Sequence, residues 1–203
     1  MDLFNQGPKK IIEGDQGEVE YIEDFLSISE ADKFFEALQK ELKNTLERPE
    51  IKYFGKKYPL PRETAWFGEK AYTYSGIRNK PRQMTENLNM LRKLAEEQCL
   101  YSFNSLLINR YKNGRDKVSW HADDEKELEH CKVIASISLG EPRSFNLRKK
   151  EGYRRPEDET KKITLEHGSL LIMRAPLQKY WEHEIPKRKT NETRINLTFR
   201  NVL

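Results

Sequence analysis

Apolar residues recur along this chain at two different periods, and the change of period divides it. In the first part Ala31, Phe34, Phe35, Leu38, Leu42 and Leu46 return every three or four positions, the spacing that lines one face of a helix. Ser29, with Asp32 three residues later, supplies a start signal for it. Leu88, Leu91, Leu94 and Ala95 repeat the pattern between Thr85 and Cys99, which predicts a second amphipathic helix. From Phe103 onward the period shortens. Segments 103–111, 133–139, 144–149, 162–166, 169–173 and 193–202 are short, rich in β-branched or apolar residues, and separated by Gly, Pro or charged turns. They read as strands. Many short strands at modest spacing predict a sandwich or jelly roll. Helices first and strands afterwards give an α+β class, with the helices backing one sheet. Segment 151–161, polar with Gly152 and Pro156, reads as an exposed hairpin loop, and residues 1–20 as a loose lead-in. No linker or internal repeat divides the chain, so one domain is expected.

Composition narrows the class without naming a chemistry. A chain of 203 residues that is 36% hydrophobic is long and apolar enough for a core, although 34% of it is charged. The net charge is +4, so the placement of the cations matters more than their sum. They cluster at Lys56-Lys57, Arg148-Lys149-Lys150, Arg154-Arg155 and Lys187-Arg188-Lys189. Each cluster taken singly reads as a solvated face. Two cysteines, Cys99 and Cys131, imply no disulfide framework and fit a reducing compartment. Residues 1–17 are polar and unlike a signal peptide. No apolar run approaches the roughly 20 residues that span a bilayer. A soluble, intracellular monomer with no membrane partner is expected, nucleus and cytoplasm being undecided.

The chemistry begins with His121 and Asp123. In an extended segment residues two apart face the same side, so the two can bind one ion. Alone, an H-x-D pair is weak, because a buried histidine bonded to an acid is the common explanation. His183 offers a third ligand from another strand. Two histidines and one carboxylate hold iron(II) on one face and leave the other open to small molecules. His130 and His167 have no acid two residues on, and they read as structural or surface residues.

Segment 193–200 changes the weight of that pair. Arg194, Asn196, Thr198 and Arg200 alternate with Ile195, Leu197 and Phe199, so the polar set shares one strand face. Two arginines on one face repel unless anions sit between them, and a dicarboxylate suits, since a guanidinium grips a carboxylate through two parallel hydrogen bonds. Asn109 and Tyr111, also two apart, interrupt an otherwise apolar strand. Polar groups on an inward face need partners, and a bound acid would supply them.

At these residues the chain resembles the AlkB-like iron(II)/2-oxoglutarate dioxygenases, specifically the branch that repairs alkylated bases in DNA. The matching text is Asn104-Ser105-Leu106-Leu107-Ile108-Asn109-Arg110-Tyr111, Trp120-His121-Ala122-Asp123-Asp124-Glu125, Ile134-Ala135-Ser136-Ile137-Ser138-Leu139-Gly140, His167-Gly168-Ser169-Leu170-Leu171-Ile172-Met173 and Arg194-Ile195-Asn196-Leu197-Thr198-Phe199-Arg200. The resemblance implies a double-stranded β-helix (jelly-roll) core over 84–203, a nucleotide-recognition lid with a hairpin finger over 49–83, and a lead-in and helix over 1–48. It implies that His121, Asp123 and His183 hold the iron and carry the catalysis. Arg194 would pair with the distal carboxylate of 2-oxoglutarate, and Arg200, Asn109, Tyr111 and Thr198 would complete that pocket, with Asn196 in support. Fe(II), 2-oxoglutarate and O2 would together turn an N-methyl group of 1-methyladenine or 3-methylcytosine into formaldehyde, with succinate and carbon dioxide as co-products.

A base stacked in a duplex cannot reach buried iron and has to be flipped out. In the family the residue matching Tyr74 stacks on the flipped base opposite the imidazole matching His121, and Asp124 would hydrogen-bond its edge. Tyr72 and Thr73 adjoin Tyr74, and Trp66 is expected to line the same cavity. Tyr53, Phe54, Gly55 and Lys56 form an apolar tip followed by a cation, a wedge that fills the gap left by the base. Family members with an apolar finger prefer duplex DNA, so the expected partner is alkylated double-stranded DNA, with RNA or a single strand as the alternative. Arg62 matches a position contacting the opposite strand, and Lys187, Arg188 and Lys189 lie where the family grips phosphates. A metal-free binding module is the remaining alternative, disfavoured by the complete ligand set. Nuclear members begin with a basic-aromatic-aliphatic motif that binds the sliding clamp. The start Met1-Asp2-Leu3-Phe4-Asn5-Gln6 lacks the basic flank, so clamp binding is not expected.

Overall fold

The computed structural model describes residues 7–53, 56–70, 72–74, 77–79, 81–128 and 130–202, with the backbone alone described at 51–53, 72–74 and 77–79. In chain order the elements are β1 (Lys9–Ile12), β2 (Glu18–Ile22), α1 (Ile28–Glu41), β3 (Glu50–Tyr53), β4 (Lys56–Pro59), β5 (Glu63–Gly68), β6 (Tyr72–Tyr74), β7 (Ile77–Asn79) and α2 (Glu86–Cys99). There follow β8 (Ser105–Tyr111), β9 (Val118–His121), β10 (Val133–Gly140), β11 (Arg143–Lys149), β12 (Lys161–Leu165), β13 (Leu170–Arg174), the single turn α3 (Leu177–Tyr180), β14 (Trp181–Ile185) and β15 (Arg194–Arg200). Two antiparallel sheets carry the domain. The major one runs β1-β2-β13-β10-β15-β8-β5 and the minor one β12-β11-β14-β9, while β3-β4 and β6-β7 are separate hairpins. This is the expected jelly roll.

Alternation along the strands sorts the major sheet into two faces. Its outer face presents Leu106, Ile108, Ala135, Ile137, Ile195, Leu197 and Phe199 to a core completed by Leu38 of α1 and Leu88, Leu91 and Ala95 of α2. The helices thus back one sheet. Between the sheets lies a second core, with Ile134, Leu171 and Met173 facing Phe145, Leu147, Ile163 and Trp181. The polar residues Asn109, Ser136, Asn196, Thr198, Arg194 and Arg200 are also buried there. Among the described residues no helix is long and apolar enough to cross a membrane.

Three expectations change. The helix cap lies two residues before Ser29: Ser27 Oγ accepts from Glu30 N, and the Glu30 carboxylate accepts from Ser27 N at 3.0 Å. The reciprocal pair satisfies two donors at once, which Ser29 with Asp32 does not. The lead-in is not wholly loose, because β2 pairs along β13 from Leu170↔Ile22 to Arg174↔Glu18. Its glutamates hid a period-two pattern in which only Val19 and Tyr21 are buried. The core sheet also takes β5 from the segment read as lid, through Glu63↔Arg110 to Gly68↔Ser105. The hairpin connection between β11 and β12 falls where expected. His167 is structural, its Nδ1 accepting from Gly140 N at 2.8 Å. Gly140 itself has φ +86, and a Cβ there would lie 2.4 Å from Thr193 O.

Candidate active site

The ligand candidates converge because β9 and β14 are neighbours. His121 ends β9, and the register sets His183 of β14 directly opposite it. Their ring centroids are 4.3 Å apart, and Phe145 stacks on His183 at 5.0 Å and 27°. Asp123 follows two residues after His121, its backbone N donating to Gln178 Oε1 at 2.9 Å. One donor atom from each of His121, Asp123 and His183 lies within 4.8 Å of the others. His121 Nδ1 is 2.9 Å from Ser119 O. A proton on Nδ1 satisfies that carbonyl and turns the Nε2 lone pair towards the triad, where Asp123 Oδ1 is 3.9 Å away.

The protonation states suit a cation. Burial, aided by the neighbouring His121, pulls His183 down to about 3. Burial likewise lowers His121, though Asp123 works against it. Both imidazoles are therefore neutral near pH 7. Burial acts to raise Asp123, but Arg200, His183 and His121 outweigh it and hold the carboxyl well below its ordinary range. Arg200 Nη2 sits 2.8 Å from Asp123 Oδ2, both side chains being buried. Asp123 Oδ1 has no hydrogen-bond partner among the described residues. A buried carboxylate oxygen left beside two neutral imidazoles fits a divalent metal ion.

The co-substrate set lies on the facing sheet. Arg194, Asn196, Thr198, Arg200, Asn109 and Tyr111 line the same cavity as the three ligands. The register pairs Arg194 with Tyr111 and Asn196 with Asn109 across β15 and β8. Arg194 Nη2 donates to Ser138 Oγ at 3.0 Å, while its Nε and Nη1 have no partner among the described residues. Burial lowers Arg194 to about 10, which leaves it a cation at neutral pH. Unpaired buried guanidinium donors fit a carboxylate. Asn196 and Thr198 instead hold each other: Thr198 Oγ1 donates to Asn196 Oδ1 at 3.0 Å, and Asn196 Nδ2 donates to Ser136 Oγ at 2.7 Å. Arg200 stands at the metal triad and Arg194 at the far end of the strand face, so the two arginines that would repel are separated.

The residues expected at the substrate fare differently. Phe54 and Gly55 lie outside the described residues, and of Tyr53, Tyr72, Thr73 and Tyr74 the structure gives only their place on β3 and β6. Lys56 is exposed on β4. Asp124 is exposed at the rim, and its Oδ2 accepts from Lys150 Nζ at 2.7 Å. Trp66 is fully buried against Leu107, Leu128 and Val202, its indole N–H donating to Lys70 O at 2.9 Å. Arg62 departs from the expected contact with an opposite strand. It is 3% exposed, lines the cavity and donates from Nε to Asn109 Oδ1 at 2.7 Å. Lys187, Arg188 and Lys189 are exposed, with Arg188 held by Glu141 at 3.4 Å and by the Pro142 carbonyl.

Sequence reading missed the supporting residues. Ser136 and Ser138, two hydroxyls two apart in an apolar strand, carried a signal of the kind used for Asn109 and Tyr111. Gln178, Phe145 and Lys150 carried none, because their contacts come from distant segments.

A profile of the 2OG-Fe(II) oxygenase superfamily matches residues 18–200. The alpha-ketoglutarate-dependent dioxygenase alkB homolog 3 of Bos taurus is 44% identical over 190 residues, covering 88% of this chain and 64% of that protein. The DNA oxidative demethylase ALKBH2 of Mus musculus is 38% identical over 182 residues, covering 86% of this chain and 76% of that protein. The solved structure of OsALKBH1 matches with a TM-score of 0.65 at 18% identity, over 90% of this chain and 97% of that one, which shows a shared fold. The chain thus spans less than two thirds of the length of the alkB homolog 3 relatives, 64% for the cattle and human proteins.

Proposed function

The chain belongs to the 2OG-Fe(II) oxygenase superfamily, and within it we propose an oxidative demethylase of alkylated nucleic acid, acting on 1-methyladenine and 3-methylcytosine in double-stranded DNA. One observation carries the reading: His121, Asp123 and His183 share a cavity with a buried Arg194 whose Nε and Nη1 have no hydrogen-bond partner among the described residues. Two relatives support the substrate class, one named a DNA oxidative demethylase and the other an alpha-ketoglutarate-dependent dioxygenase. When bound, iron(II) with 2-oxoglutarate and O2 supplies the oxidation, in which 2-oxoglutarate loses carbon dioxide to become succinate and one oxygen atom enters a C–H bond of the N-methyl group, which then leaves as formaldehyde.

The chain's own tasks are positioning and exclusion of water. His121, fixed by Ser119 O, presents Nε2 to the metal, and Asp123 is kept ionised by Arg200. Arg194 grips the distal carboxylate of the co-substrate, with Tyr111 beside it. Asp124, next to the ligand Asp123, accepts from the exocyclic amine of the flipped base. Tyr74 supplies the stacking face. Duplex preference rests on the sequence of the finger, with the apolar Phe54 as wedge and Lys56 at its flank.

The test is a turnover panel with 1-methyladenine in duplex DNA, single-stranded DNA and RNA, reading formaldehyde and succinate. The expected result is formaldehyde release from all nucleic acids tested, fastest from duplex DNA. Faster turnover on RNA or single strands overturns the duplex assignment. Succinate without formaldehyde from any of them overturns the demethylase reading.

A further inference from the structure

Arg143 is a fully buried arginine that the chemistry above does not use. It opens β11 of the minor sheet and packs against Tyr111, which lines the co-substrate cavity. Its Nη2 donates to the carbonyls of Asp116 at 2.8 Å and Pro186 at 2.6 Å. Those residues precede β9 and follow β14, the strands that carry His121 and His183. Its Cζ lies 5.3 Å from the centroid of the Tyr111 ring, and Cζ of Arg194 lies 5.1 Å from the same centroid. Nε and Nη1 of Arg143 have no hydrogen-bond partner among the described residues.

Among the described residues neither guanidinium forms an ion pair with a carboxylate, although Asp116 and Glu141 act on Arg143 from nearby. Asp116 lends Arg143 only its backbone carbonyl. Its carboxylate is engaged by Arg48 through two 3.0 Å bonds and by Lys112 N at 2.9 Å. Two guanidinium cations thus share the ring of Tyr111, which with Arg194 lines the cavity. Buried charge is costly unless it is paired, and a distal carboxylate entering beside Arg194 lies in the field of both cations. A cation–π contact also holds the Tyr111 ring, whose position then depends on Arg143.

We propose that Arg143 is a positioning residue for the co-substrate: acting through Tyr111 and by its charge beside Arg194, it makes the end wall select a doubly charged 2-oxoacid over a singly charged one. The inference rests on the assignment of the Arg194 cavity to 2-oxoglutarate. It adds a second cation to the one that makes direct contact.

The test is anaerobic isothermal titration of the iron(II)-loaded protein with 2-oxoglutarate and with 2-oxobutyrate, which lacks the distal carboxylate. Arg143→Gln keeps a hydrogen-bonding group for the two carbonyls and removes the charge. It is expected to weaken 2-oxoglutarate roughly tenfold and to leave 2-oxobutyrate within about twofold. Arg143→Lys keeps the charge but moves it off the ring, and is expected to weaken 2-oxoglutarate about threefold, again without effect on 2-oxobutyrate. It carries the test if Arg143→Gln does not fold. A ratio of the two affinities unchanged from wild type in either variant overturns the proposal, as does parallel weakening of both oxoacids, the mark of a purely structural bolt. A wild-type protein that binds neither oxoacid overturns the cavity assignment itself.

Discussion

The two ends of the candidate site are built on different foundations. The metal and co-substrate end is carried by strands of the two main sheets, β14 and β9 of the minor one and β15 and β8 of the major one, with His183 paired to His121 and Arg194 to Tyr111 by register. Every side chain there leans on another: Asp123 on Arg200, Asn196 on Ser136, Asn109 on Arg62. The end proposed to receive the base is carried by β3-β4 and β6-β7, hairpins that among the described residues form two-stranded sheets of their own. Under the proposed function the oxidation chemistry rests on the scaffold, and the choice of substrate rests on the hairpins together with Asp124 beside the metal ligand. Changes in the hairpins can retune the substrate without disturbing the chemistry, whereas changes in the sheets cannot spare either.

The largest expected effect breaks the scaffold end. Arg200→Met leaves the Asp123 carboxylate buried without its 2.8 Å partner, and the unfolding free energy in urea should fall by about 3–5 kcal/mol, with turnover lost. A fall below about 1 kcal/mol would show that Arg200 does not compensate Asp123. Next, Arg194→Met removes charge-assisted hydrogen bonds to the co-substrate and should raise KM for 2-oxoglutarate about a hundredfold, with nucleic-acid affinity unchanged. Equal losses in both affinities would contradict the separation of the two ends.

A pH effect belongs to the scaffold alone. His183 has its folded value lowered to about 3, chiefly by burial, below an unfolded value of about 6.5. As pH falls the unfolded chain binds the proton first, so the stabilisation is full above about pH 6.5 and is lost as pH drops towards 3, at up to about 1.4 kcal/mol per pH unit. Asp123, also lowered, adds to the loss only below its ordinary range. Urea midpoints of the metal-free protein at pH 7 and 5.5 should show the drop, and His183→Gln should flatten it. The smallest effect belongs to the appendage. Phe54→Ala should slow duplex turnover about fivefold, equivalent to about 1 kcal/mol, and leave single-stranded turnover within about twofold. Equal losses on both would sink the wedge.

What could be read before the structure followed the same division, for a physical reason. Arg194-Ile195-Asn196-Leu197 declares its two faces by alternation alone, and His121-Ala122-Asp123 declares a shared direction in the same way. Such patterns need no knowledge of what packs where. Val19 and Tyr21 alternate too, but the glutamates between them made β2 look like solvated chain. Arg62 and Arg143 were out of reach. A charged residue near a proline reads as surface, and it is buried only because Asn109, or the carbonyls of Asp116 and Pro186, arrive from elsewhere in the fold. Ser27 and Ser29 offered two helix caps, and only the carboxylate of Glu30 decided between them.

The most direct test of the central claim is formaldehyde and succinate release from duplex DNA containing 1-methyladenine, by the wild-type protein and by His121→Ala, with circular dichroism on both. Equal amounts of the two products are expected from the wild type, and their loss to background in a variant whose spectrum is unchanged. A folded His121→Ala protein that still releases formaldehyde at the wild-type rate would contradict it.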